Sequence, residues 1–69
     1  MDVQRLVAMA NDIAAFFASD PDPAAAADQV ANHLKKFWEP RMRAEIRRHV
    51  SAGGTGLSAI ALQAVKKLA

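Results

Sequence analysis

Apolar residues recur at Val3, Leu6, Val7, Ala10, Ile13, Ala14 and Phe17, the three- and four-residue spacing of one helical face. Asp2 stands where an N-cap would accept from the first free amides. Gln4, Arg5, Asn11 and Asp12 take the opposite side. Met9 and Phe16 fall off the main stripe and widen the apolar surface, so this helix is expected to be covered on more than one side. Ser19-Asp20-Pro21-Asp22-Pro23 ends it, because each proline disfavours helical geometry in the residue before it yet fits the first turn of a new helix. Asp20 or Asp22 is the next N-cap.

The second helix is predicted from about Pro23 to Trp38. The alanines from Ala24 to Ala27 supply helix propensity, and Val30, Leu34, Phe37 and Trp38 supply the buried face. Pro40 lacks an amide proton and disfavours a helical Glu39, which places a kink or a restart at Glu39-Pro40. A third helix follows from Pro40 to about Ala52, with Met42, Ile46 and Val50 on a narrow apolar stripe and mostly charged residues elsewhere. Ala52-Gly53-Gly54-Thr55-Gly56 stops it, since glycine accepts the left-handed backbone that closes a helix. The last helix begins near Ser58, with Leu57 and Leu62 at the positions of a hydrophobic staple and Lys66 and Lys67 in the final turn. Ile60, Ala61, Ala64, Val65 and Leu68 form its buried face. The pattern predicts an all-α fold, a small bundle of about four short helices in a single domain over 1–69, with no strand, repeat or linker.

Length changes the picture. A chain of 69 residues buries only about 60% of the surface its unfolded form exposes, and a core of this size rarely supplies more than about 3 to 5 kcal/mol. Small domains make up the shortfall with disulfides, a structural metal or a partner. The absence of cysteine excludes disulfides and thiolate-bound metal or iron–sulfur sites, which leaves a partner. The N-terminus reads as neither a signal peptide nor a membrane span, because Asn11 and Asp12 interrupt the first apolar segment. The net charge of +2 hides an imbalance: residues 1–34 carry Arg5 against five aspartates, whereas residues 35–69 carry eight Lys or Arg against Glu39 and Glu45. Such polarity fits either an oriented contact surface or a merely soluble one.

Little catalytic chemistry is readable. His33 and His49 lie on different helices without the spacing of a metal motif. His33 beside Asp28 or Asp12 would be an acid–base pair, but a partly buried histidine is the simpler expectation. Gly53-Gly54-Thr55-Gly56 has neither the preceding strand nor the lysine of a phosphate loop and reads as a helix stop.

The segment Lys35-Lys36-Phe37-Trp38-Glu39-Pro40-Arg41-Met42-Arg43 interleaves cations with two adjacent aromatics at a proline break. Three readings compete for it. A nucleic-acid site would set Lys35, Lys36, Arg41, Arg43, Arg47 and Arg48 on phosphates, against which the five aspartates weigh. A purely structural segment would bury Phe37 and Trp38 and leave the cations in water. A protein interface would combine a Trp anchor with Arg contacts, and the small core favours it.

Met9-Ala10-Asn11-Asp12-Ile13 with Phe16-Phe17, the stretch from Ala31 through His33-Leu34 and Phe37-Trp38 to Pro40-Arg41-Met42-Arg43, and Gly53-Gly54-Thr55-Gly56-Leu57 together resemble the delta subunit of NAD-dependent formate dehydrogenases. The similarity runs from about Leu6 to Leu68. It departs at Asp12, where glutamine is expected, and at Ala59, where a proline often opens the last helix. The resemblance implies a cytoplasmic complex that oxidises formate to carbon dioxide and reduces NAD, with molybdopterin, iron–sulfur clusters and FMN held by other subunits. It implies an accessory chain with no catalytic, cofactor or metal residues of its own. The expected partners are the larger subunits, foremost the molybdopterin-binding alpha subunit, with no nucleic acid and no membrane. Chemistry, not a family motif, nominates Phe37, Trp38, Arg41, Arg43, Arg47 and Arg48 as interface residues. The competing functions are a small basic helical protein that binds nucleic acid or serves as an adaptor, and an assembly chaperone that leaves the mature enzyme.

Helices this short are marginal alone, so the isolated chain is expected to be helical but to melt gradually, and to melt at higher temperature when bound. Circular dichroism melting of the lone chain checks this. A sharp two-state transition above about 70 °C, beyond the usual mesophile range, contradicts dependence on a partner.

Overall fold

Capping chemistry sets where each helix starts. The computed structural model describes residues 2–68, and its helices are α1 (Val3–Phe17), α2 (Pro23–Phe37), α3 (Pro40–Ser51) and α4 (Ala59–Lys66). The Asp2 carboxylate accepts from the Gln4 amide at 3.0 Å, and that of Asp22 accepts from the Ala24 amide at 3.0 Å. Asp20 is not the cap of α2; it accepts from the Asp22 amide at 2.9 Å and from Gln29 Nε2 at 3.0 Å, bracing the α1–α2 turn. Glu39 offers no side-chain cap to α3. Pro40 at the first helical position removes one amide that would otherwise lack a partner. Ser58 Oγ accepts from the Ala61 amide at 3.3 Å and opens α4.

The glycine stop works through Gly54. Its φ of +67° is left-handed, and its amide donates to the His49 carbonyl at 2.9 Å, while the Gly53 amide donates to Val50 at 3.0 Å. A Cβ at Gly54 would sit 2.7 Å from Leu62 Cδ1, so the missing side chain also admits α4 against the end of α3.

One core draws on all four helices. Its largest fully buried side chains are Leu34, Ile46, Val30 and Val65, joined by Leu6, Val7, Trp38 and Leu68. Ile13, Phe17, Met42, Val50, Leu57 and Ile60 pack partly buried around it. Much of the remainder is alanine: Ala10, Ala14, Ala26, Ala27, Ala31, Ala61 and Ala64 are buried. The broadest helix contact, between α2 and α4, therefore rests largely on small side chains. Alanine brings helices close but removes little apolar area per residue, and burial stabilises by only about 25 cal/mol per Å².

Two expectations about apolar surface are corrected. Phe37 is 70% exposed, although its spacing from Val30 and Leu34 is right for the buried stripe. Periodicity gives a direction, and at the last residue of α2 no element of the described chain covers that direction. Likewise α1 is not wrapped on its second side: Met9 is 36% and Phe16 77% exposed.

Polar ties between distant segments complete the frame. Asn11 on α1 donates from Nδ2 to the Gly56 carbonyl at 2.9 Å and accepts on Oδ1 from the Ser58 amide at 2.8 Å. His49 Nε2 donates to the Thr55 carbonyl at 2.7 Å across the same loop. Lys67 pairs with Asp28 at 3.0 Å, joining α4 to α2. Both partners of that pair are largely in water, where an ion pair contributes little. No helix among the described residues is long and apolar enough to cross a membrane.

Asn11 is the one side chain that fixes both the loop carbonyl and the entrance to α4. Asn11→Leu keeps the size and removes both bonds. At about 0.5 to 1.5 kcal/mol each, the loss should be about 1 to 3 kcal/mol, read as a lower midpoint in urea denaturation. An unchanged midpoint would mean that water replaces both bonds without cost.

Candidate functional site

The basic aromatic segment folds as a corner. α2 ends at Phe37; Trp38 (φ −86°, ψ 138°) and Glu39 (φ −64°, ψ 152°) are extended, and α3 restarts at Pro40. The restart, not a kink, is the form the proline break takes. The extended step takes Trp38 off the helical progression of side-chain directions, and its ring enters the core at 5% exposure. The expectation of a projecting Trp38 anchor is therefore corrected. The ring that projects at this corner is that of Phe37, which lies beside His33 with centroids 4.7 Å apart.

Arg43 is also drawn into the fold. From the first turn of α3 its Nη1 donates to the Lys35 carbonyl at 3.3 Å and to the Trp38 carbonyl. The Lys35 carbonyl belongs to the last turn of α2 and that of Trp38 to the extended residue that follows, at the helix end where unpaired acceptors and the dipole favour a cation. Arg43 thus pins α3 onto the end of α2, and its guanidinium is engaged within the chain.

The other nominated arginines stay on the surface. Arg41 and Arg47 are exposed; Arg48 forms an ion pair with Glu45 one turn earlier on α3, its side chain 72% exposed. Arg47 and Arg48 line one groove of about 440 Å³ between α3 and α4, together with Ser51 and Lys66 and an apolar floor that includes Val50, Val65 and Leu68. Four polar or cationic side chains over an apolar floor, with no carboxylate in the lining, suit an acidic protein segment. Sequence reasoning placed Lys66 only in the last turn of α4; its convergence on the α3 arginines depends on how the two helices cross, which no local pattern reveals.

The remaining candidates take structural roles. His33 packs between Phe37 and Phe17, the latter at a centroid distance of 6.5 Å, and Asp28 is engaged with Lys67. Gly53 to Gly56 close α3 and meet Asn11. Among the described residues, no three His, Cys, Asp or Glu side chains gather where they would hold a metal ion.

Residues 5–65 match the family model of the NADH-dependent formate dehydrogenase delta subunit, FdsD. Neither a curated protein nor a solved structure matches the chain. The matched span includes the polar ties of Asn11 with Gly56 and Ser58 and of Arg43 with Lys35 and Trp38.

The two neighbouring aromatics should separate by experiment. Trp38→Ala should cost about 3 to 5 kcal/mol of folding stability, as for a large core ring. Phe37→Ala should change it by no more than about 0.5 kcal/mol. Chemical denaturation of the two variants checks both; equal losses would contradict the assignment of one ring to the core and the other to the surface.

Proposed function

Because the chain belongs to the NADH-dependent formate dehydrogenase delta subunit family, we propose that it is a non-catalytic accessory subunit that docks on the larger subunits of a cytoplasmic complex and stabilises or helps assemble it. That complex couples formate oxidation to NAD reduction, with molybdopterin, iron–sulfur clusters and FMN in the partner chains. The foremost partner is the molybdopterin-binding alpha subunit. The observation that carries this reading is the cationic groove of Arg47, Arg48 and Lys66, left open on a chain in which nearly half of the buried apolar residues are alanine.

The chemistry of the surface supports docking over catalysis. An enzyme needs a nucleophile or base held by an orienting group in a concave pocket, whereas both histidines here serve packing or loop closure. Arginines at the rim of an interface steer association and fix its register. In this reading Arg41, Arg47 and Arg48 meet carboxylates of the partner, and Trp38 and Arg43 hold the corner from which α3 starts.

Reversing Arg47 and Arg48 to Glu should lower retention of the chain in the purified complex, with the wild-type chain progressively released as salt is raised. The free variant should keep its helicity, since an exposed pair such as Arg48 with Glu45 contributes little to stability. Normal co-purification of the double reversal at low and high salt would reduce the basic groove to a solvated face.

A further inference from the structure

The most exposed large apolar side chains, Phe16 and Phe37, are the two ends of one row of rings. Phe16 meets Phe17 edge to face at a centroid distance of 5.1 Å, Phe17 meets His33 at 6.5 Å, and His33 meets Phe37 at 4.7 Å. The row crosses from α1 to α2, with 77% of Phe16 and 70% of Phe37 exposed at its ends. Two grooves flank it, and Phe17 and Gln29 line both, so the two adjoin as a trough along the row. Single exposed apolar residues need no explanation, whereas a contiguous patch beside a trough marks a contact site.

Charge along the trough selects the occupant. At the Phe37 end the lining holds Lys35 and Lys36 and no carboxylate. At the Phe16 end the lining carboxylate is Asp20, already accepting from the Asp22 amide and Gln29. A second copy of this chain fits poorly, because a two-fold contact over Phe37 would bring Lys35 and Lys36 of both copies together with no carboxylate in the groove lining to offset them. An anionic membrane is favoured less, since two lysines at one end give weak and uneven attraction. We propose that the ring row from Phe16 to Phe37 is a second docking face, which receives an apolar segment of a larger subunit that carries carboxylates where it passes Lys35 and Lys36.

This inference rests on the accessory-subunit reading but uses a surface separate from the Arg47 and Arg48 groove. The row is preorganised, because Phe17 is partly buried against the core and His33 is held between two rings. Rigid aromatic rings contribute contact area at low entropy cost, which is why a few aromatics dominate many interfaces.

The test uses the assembled complex with the full-length chain. Phe16→Ser with Phe37→Ser should leave the helicity of the free chain unchanged, because both rings are mostly in solvent, and weaken its binding to the remaining subunits about thirtyfold or more. A photo-crosslinking phenylalanine analogue at position 16 or 37 should label one and the same larger subunit, and a carboxylate-to-amine coupling reagent should join Lys35 or Lys36 to an Asp or Glu of the labelled segment. Retention of the serine variant at wild-type level would overturn the ring-row proposal while leaving the accessory role intact; failure of the wild-type chain to be retained would remove that role first. Crosslinks confined to a second copy, or binding to phosphatidylglycerol vesicles lost in the serine variant, would also overturn it.

Discussion

Two extended residues between helices decide what this molecule shows to its surroundings. Trp38 and Glu39 carry β-like backbone angles, so the chain leaves α2 and enters α3 with its direction reset. That step sends Trp38 into the core and leaves Phe37 outside. Arg43 holds it closed by donating to the Lys35 and Trp38 carbonyls. Pro40 makes the step nearly obligatory, since it disfavours a helical Glu39 and cannot donate an amide back to α2. The position of the basic groove, the exposure of Phe37 and the burial of the single tryptophan all follow from this corner.

The corner matters because the core has few large side chains with which to resist a misplaced helix. Seven buried alanines allow tight packing of α1, α2 and α4, but an alanine side chain buries a fraction of the area of a leucine. Orientation is therefore fixed to an unusual degree by single polar devices: Asn11 across the loop before α4, His49 to Thr55, and the left-handed Gly54 that admits Leu62. Each acts on the loop between α3 and α4. Between them the helices are held at their ends, and their outer faces are free to carry charge and apolar surface for other purposes.

Much of this was legible in the residues, and the illegible part has a physical cause. Prolines, capping aspartates, Ser58 and the glycine run act within a few residues of themselves, so the four helices and their boundaries could be read nearly to the residue. The pairing of Phe37 and Trp38 could not. Helical periodicity assigns both Phe37 and Trp38 to the buried face, and only the extended backbone at Trp38, together with the lack of a covering element at the end of α2, keeps one ring in the core and leaves the other outside. The role of Arg43 was hidden for a similar reason: a cation after a proline break looks the same whether it reaches back to helix carbonyls or out to a partner. The convergence of Lys66 with Arg47 and Arg48, and that of Phe16 with Phe37, depends on helix crossing, which is a property of the whole packing.

The exposed rings carry a thermodynamic implication. A small chain could raise its own stability by turning more apolar area inward, yet Phe16 and Phe37 lie outside while seven alanines occupy buried positions. Apolar area left at the surface contributes nothing to folding alone and contributes to association once it is covered. In the proposed docking the same residues would divide stability between the free chain and the complex, because apolar area that the free chain leaves in water would be covered on binding. A partner that binds only the folded form, as the proposed docking requires, would strengthen the chain by shifting the folding equilibrium toward that form.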